Sequence, residues 1–189
     1  MGIKTIKSET LYEDQRLMLQ QDTVMTDSQS AHTLTYIQKK DAVLVVAEDN
    51  NKVILVRQHR YIAGTESVEL PGGAIEKGEA PVDAAIRELK EETGLENPKS
   101  VELLGEFYPL PSLTNEKVYV YHMTGLEKGP QSKEATEDDL VVEQASITHL
   151  AGVMNSDVVS GADMLALYLF FHKKHPNVLV RKEGKHGIC

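Results

Sequence analysis

The chain is nearly free of cysteine, and the one it has, Cys189, is its last residue. No disulfide can form within the chain, so a small scaffold stapled by bridges is excluded, and a reducing compartment fits. Nor does any Cys/His cluster have zinc spacing, which argues against a soft-metal site. Positive charge is also scarce: 20 Lys and Arg stand against 29 Asp and Glu, for a formal charge of −9. That balance argues against a nucleic-acid partner held on a basic surface. It leaves an anionic substrate open, because a bound metal ion can invert the local charge. Long apolar runs are missing as well. The N-terminal MGIKTIKSETLYEDQR has no apolar centre of the kind an export signal needs, and the longest run, Met164 to Phe171, is far short of the roughly 20 residues of a membrane helix. A soluble, cytoplasmic protein with no membrane partner is expected. There is no internal repeat and no P-loop; Gly184-Lys185 lacks the rest of that motif.

What is present fits one domain. A chain of 189 residues can bury a sizeable core but would cramp a second full domain. Residues 1–40 read as an antiparallel extension of three β-strands, rich in β-branched and aromatic residues and broken by the turn-forming Thr26–Ser30. This extension is too small to bury a core alone, so it should pack on the main domain or on a second subunit. From Asp41, AVLVVAE, the turn Asp49-Asn50-Asn51 and KVILVRQ form a hairpin pattern. A short strand at Val68–Leu70 runs into Pro71-Gly72-Gly73, where paired glycines suit unusual backbone angles. A helix should follow, with Pro81 in its first turn and Gly94 as its left-handed cap. Strands are expected near Val101–Tyr108, Val118–Met123 and Leu140–Ile147, then a helix from Ser160 to His175. Residues 41–175 would be the main domain and 176–189 a tail. Strands mixed with a few helices, without a βαβ rhythm, predict an α+β fold with a mixed β-sheet.

The helix between Pro81 and Gly94 carries the strongest chemical signal. At about 100° per residue, with Glu88 as zero, Glu92 lies near 40° and Glu91 near −60°, while Val82, Ala85, Ile86 and Leu89 gather at roughly 60° to 160°. One stripe is apolar and a carboxylate edge lies beside it. Such an edge can be a solvated acidic face with Arg87 paired to Glu91. Against that reading, Glu88 and Glu92 repel each other one turn apart, and the preceding glycine loop can bring backbone carbonyls alongside. Clustered oxygen donors of this type suit a hard divalent cation.

The full spacing resembles the Nudix box. Gly73, Glu79, Arg87, Glu88, Leu89, Glu91, Glu92, Gly94 and Leu95 occupy all nine defined positions of a 23-residue pattern. The resemblance implies a Nudix-like α/β/α sandwich with a mixed sheet over residues 41–175. It implies hydrolysis of a nucleoside diphosphate linked to another group. Glu88, Glu91 and Glu92, joined by the Gly72 carbonyl, would hold Mg²⁺ or Mn²⁺, with Glu91 and Glu92 counted as catalytic. Gly73, Glu79 and Arg87 match the supporting positions that hold loop and helix together.

Flanking residues narrow the substrate. Arg57-Gln58-His59-Arg60 followed by Glu69-Leu70-Pro71-Gly72 is similar to the arrangement in ADP-ribose and nucleotide-sugar pyrophosphatases, although that group usually has Ala where Gly72 stands. Pro109 and Pro111 lie where the group tends to carry a proline. Arg60 and then Arg57 are the candidate substrate clamps, because a guanidinium fork fits phosphate; pairing of one of them with Glu69 is the plainer alternative. Glu116, in a loop resembling one that supplies an active-site glutamate, is the candidate general base or an extra metal ligand; an exposed loop glutamate before a strand is the plainer alternative. The acidic stretch Glu134, Glu137, Asp138 and Asp139 could also supply a base, but it reads more plainly as a solvated loop. Relatives of this kind are commonly dimers joined through N-terminal strands, so a homodimer is expected. ADP-ribose or a related nucleoside diphosphate sugar leads as substrate. A GDP-sugar or nucleoside triphosphate hydrolase, or a non-catalytic nucleotide sensor, remains as an alternative.

Overall fold

The computed structural model describes residues 2–15, 17–131, 139–157 and 160–179. The first three strands, β1 (Ile3–Glu13), β2 (Met18–Thr26) and β3 (Ala31–Gln38), form their own antiparallel sheet in that order. Every residue of β1 is exposed. The sheet joins the rest of the protein at one corner. There the Ile37 N–H donates to the Leu113 carbonyl at 2.8 Å, and the Lys39 N–H donates to Asn115 Oδ1 at 2.8 Å.

The main sheet begins with β4 (Ala42–Asp49) and β5 (Lys52–Arg60). Asn50 (φ 47°) and Asn51 (φ 64°) both take the left-handed conformation that a two-residue hairpin turn needs. The two strands pair only beside the turn, at Glu48–Val53 and Asp49–Lys52, and then part. Beyond that point β5 pairs with β6 (Thr65–Glu69), and β4 pairs with β7 (Gly72–Ala74). The Leu70-Pro71 link fills the opening, and the Val45 N–H donates to the Pro71 carbonyl at 2.8 Å. On its other edge β4 runs parallel to β10 (Val118–Thr124), which pairs antiparallel with β9 (Ser100–Phe107). The outer strand β12 (Val141–Ser146) pairs with β5, completing the order β12-β5-β4-β10-β9. Short strands β8 (Leu95–Glu96) and β11 (Glu127–Lys128) pair separately.

The period of two along β4 creates two cores. Val43, Val45 and Ala47 pack with Ala84, Ala85 and Leu89 of α1 (Pro81–Thr93). Val46 faces the other side, where Leu55, Val68, Leu70 and Leu104 meet Leu150 of α2 (Ile147–Ser156) and Leu167, Phe170 and Phe171 of α3 (Gly161–Lys174). A one-turn α4 (Pro176–Leu179) follows. The molecule is therefore α+β, with a mixed sheet between helices. Helix α2 was not expected from the sequence; Ser146 ends β12 and caps α2, its side chain accepting from the His149 N–H.

Candidate active site

Helix α1 forms for the predicted reasons. Pro81 opens it with φ already suited to a helix, and Gly94, at φ 72°, closes it by donating its N–H to the Lys90 carbonyl at 2.8 Å. The apolar stripe is wider than the pattern indicated: Ala84 is fully buried on the glutamate side of the helix. That small residue lets the carboxylate edge come down against β4 and β7, and Glu92 is only 2% exposed.

Gly72 and Gly73 serve close approach rather than unusual backbone angles, correcting the expectation. Neither has positive φ, and both belong to β7. A Cβ on Gly73 would sit 2.6 Å from the Glu88 carboxyl, and one on Gly72 would sit 2.1 Å from the Val43 carbonyl oxygen. The Gly72 N–H donates to Glu92 Oε2 at 3.0 Å. Two of the three helix glutamates thus meet the glycine strand directly.

Arg87 ties the cluster together. Its Nε and Nη2 donate to Glu79 at 2.8 and 2.9 Å, its Nη1 donates to Glu88 Oε1 at 2.7 Å and Glu91 Oε2 at 3.0 Å, and Nη2 also donates to the Ala74 carbonyl at 3.0 Å. The hydrogen bond to Glu79, aided by Glu88 and Glu91, raises the guanidinium pKa further. The same bond, with a backbone bond from Glu76, holds the Glu79 carboxyl down at about 2. The Arg87–Glu91 pair of the solvated-face reading does exist, but as one contact in a five-bond network. In this arrangement no three His, Cys, Asp or Glu side chains among the described residues are gathered in metal-ligating geometry. Glu88 and Glu91 lean on Arg87, and Glu92 on Gly72.

Beside β7 lies a cavity of about 810 Å³, open to solvent, whose wall includes Gly72, Gly73, Arg60, Glu69, Glu116 and Asp163. Arg60 Nε donates to Glu69 Oε1 at 2.7 Å, and its Nη2 also bonds Glu69. The Arg60 side chain is still half exposed at the cavity wall. Arg57 is not part of this wall; it pairs with Glu143 of β12 at 2.7 and 3.2 Å. Glu116 lines the cavity and holds Lys39 Nζ at 2.6 Å. Glu134, Glu137 and Asp138 lie outside the described residues. Asp139 accepts the His59 N–H at 3.0 Å.

Two wall residues, Lys39 and Asp163, were not singled out from the sequence. Lys39 and Arg60 are the basic side chains of the wall. Asp163 lies in Ser160-Gly161-Ala162-Asp163, a sequence that resembles a capping box at the start of α3. Ser160 does cap α3, accepting the Asp163 N–H. Asp163 is 3% exposed, and its carboxylate, which also bonds Ser160, reaches across to the Leu70 N–H at 2.7 Å. Burial pushes this carboxyl up to about 6 against that bond. No local pattern announces a partner so distant in the chain.

The chain is similar to known proteins over most of its length. The sequence matches the NUDIX domain over residues 38–159. It is 35% identical over 139 residues to a methanol dehydrogenase activator of Bacillus methanolicus, covering 73% of this chain and 75% of that protein. It is 33% identical to an ADP-ribose pyrophosphatase of Bacillus subtilis (strain 168), with the same coverage. An ADP-ribose pyrophosphatase of Mycobacterium tuberculosis (strain ATCC 25618 / H37Rv) is 32% identical over 84% of this chain and 80% of its own length. Among solved structures, an ADP compounds hydrolase superposes with a TM-score of 0.81 at 18% identity, covering 91% of this chain and 94% of its own. That likeness concerns the fold.

Proposed function

Because the chain belongs to the NUDIX family, we propose that it is a Mg²⁺-dependent hydrolase of the diphosphate bond in ADP-ribose or a related nucleoside diphosphate sugar. The products are a nucleoside monophosphate and a sugar phosphate; from ADP-ribose they are AMP and ribose 5-phosphate. One observation carries the reading. The carboxylates of α1 meet the Gly72-Gly73 backbone next to a cavity of about 810 Å³ that also presents Arg60 and Glu116. The similarity to two ADP-ribose pyrophosphatases supports the substrate class.

Nudix hydrolases use divalent metal ions, and the donors here fit one. Glu88, Glu91, Glu92 and the Gly72 carbonyl offer only oxygen, the preference of hard cations. The contacts of Arg87 with Glu88 and Glu91 mark where positive charge is already needed. When bound, Mg²⁺ neutralises the diphosphate and lowers the pKa of a bound water.

The remaining roles fall to the chain itself. Glu79 and Arg87 hold the glycine strand to α1. Arg60, backed by Glu69, clamps a phosphate with its remaining donors. Glu116 takes the proton from the attacking water once Lys39 turns to the substrate. Arg57 supports the sheet edge through Glu143. The N-terminal sheet exposes Ile3, Ile6, Leu11 and Leu34, and a second copy of the chain covers it in a homodimer. No helix among the described residues is long and apolar enough to cross a membrane, in keeping with a cytoplasmic enzyme.

The test is a panel of nucleoside diphosphate sugars and nucleoside triphosphates incubated with Mg²⁺ in ¹⁸O-water. ADP-ribose should give AMP and ribose 5-phosphate, with the label in one product. Binding of ADP-ribose without turnover in metal-replete buffer would overturn the reading in favour of a sensor.

A further inference from the structure

The backbone that offers the Gly72 carbonyl is not held by the sheet alone. β6 ends at Glu69 and β7 starts at Gly72, so Leu70 falls between two ladders. Leu70 is 2% exposed, and its N–H needs a partner that no strand supplies. Pro71 has no N–H to offer. The turn is fixed by three bonds from three elements: Leu70 N–H to Asp163 of α3 at 2.7 Å, Pro71 carbonyl from Val45 of β4 at 2.8 Å, and Gly72 N–H to Glu92 of α1 at 3.0 Å. The first of these comes from a buried carboxylate on the far helix layer, in the wall of the cavity.

We propose that Asp163 is a positioning residue for metal binding: its carboxylate oxygen sets the Leu70–Gly72 turn so that the Gly72 carbonyl stands in register with the glutamates of α1. This deepens the hydrolase reading and rests on it for the identity of the reaction, though the effect on metal affinity stands apart from any substrate. A carboxylate is an expensive choice for this place, since burial opposes its charge and Glu69 lies nearby. The Arg60 guanidinium offsets part of that cost. What the N–H of Leu70 requires is an acceptor oxygen, which an amide also provides. Without an acceptor, the buried N–H must turn toward water in the cavity, and the turn carries the Gly72 carbonyl with it.

The comparison is therefore Asp163→Asn, which keeps the acceptor, against Asp163→Leu, which keeps much of the volume and removes it. Mn²⁺ binding is measured by the electron paramagnetic resonance of the free ion, without substrate, beside steady-state hydrolysis of ADP-ribose and thermal melting. Partners that orient metal ligands typically contribute about 10- to 100-fold. Asp163→Leu should weaken Mn²⁺ binding by about tenfold and lower kcat by at least about tenfold with KM little changed, while Asp163→Asn stays within about threefold of the parent on both. A lowered melting temperature with parental Mn²⁺ affinity in Asp163→Leu would reduce Asp163 to a structural role and overturn the proposal. Equal loss in both variants would also overturn it, since the charge and not the acceptor would then matter. Should Asp163→Leu fail to fold, a weakened Mn²⁺ affinity in Asp163→Asn still sinks the idea. If the parent binds Mn²⁺ but leaves ADP-ribose intact, the substrate reading fails alone, and the Mn²⁺ comparison still decides the role of Asp163.

Discussion

Arg87 grips Glu79 at two points, Nε to Oε1 at 2.8 Å and Nη2 to Oε2 at 2.9 Å, and so fastens the loop before α1 to the helix itself. The pair leaves Nη1 to serve Glu88 and Glu91. Glu79 sits outside the cavity wall, yet its loss frees the guanidinium that orients two candidate ligands.

The pH dependence of stability reports on this pair. Glu79 has its pKa lowered from 4.5 to about 2 in the folded protein. A depressed folded value means the contribution is present above the unfolded pKa and is lost as pH falls through the folded one. Melting temperatures measured from pH 6 to pH 2 should therefore fall more steeply for the parent than for Glu79→Gln. Parallel curves would show that the pair contributes nothing to stability.

Glu92 is the most deeply buried of the three helix glutamates. Glu92→Gln keeps an oxygen for the Gly72 N–H and removes the charge. The variant should melt near the parent temperature and lose on the order of 10³ in kcat, the scale of losing one charge-stabilising group. Parental turnover in metal-replete buffer would remove Glu92 from the catalytic set.

Arg60 and Arg57 can be separated by kinetics. Arg60 lines the cavity, while Arg57 is spent on Glu143. Arg60→Met should raise KM for ADP-ribose by about tenfold, and Arg57→Met should leave KM within about twofold, by the usual worth of a charge-assisted contact. The reverse order would place the clamp on the other arginine.

The glycine strand gives a steric prediction. A methyl on Gly73 meets only the end of a flexible side chain, the Glu88 carboxyl at 2.6 Å, whereas on Gly72 it meets the Val43 backbone at 2.1 Å. Gly73→Ala should fold and lose about 10- to 100-fold in activity as Glu88 is displaced. Gly72→Ala should instead lower the melting temperature. Circular dichroism melts and turnover on both variants distinguish steric displacement of a ligand from damage to the sheet.

Much of this was legible in the chain because the signals are local. Pro81 and Gly94 bracket α1, Ser160 starts α3, and Asn50-Asn51 turns the first hairpin, each by chemistry confined to a few residues. Helix α2 escaped because Ile147, Thr148 and Val153 read equally well as the continuation of a strand, and the deciding cap, Ser146, looks like any strand serine. The parallel pairing of β4 with β10, the splay of β4 from β5 and the reach of Asp163 to Leu70 depend on distant partners. The glycine pair was visible, but its reason was not, since the crowding comes from Glu88 and Val43 rather than from the turn.

β4 has neighbours on both edges, a packed layer over each face and the glycine strand hanging from one end. Its amides can reach solvent only when the whole domain comes apart, whereas those on the bare outer edge of β1 can trade protons with water through small local openings. Deuterium uptake should accordingly be slowest at Val45 and Val46, making the scaffold under the glycine strand the last region to admit heavy water.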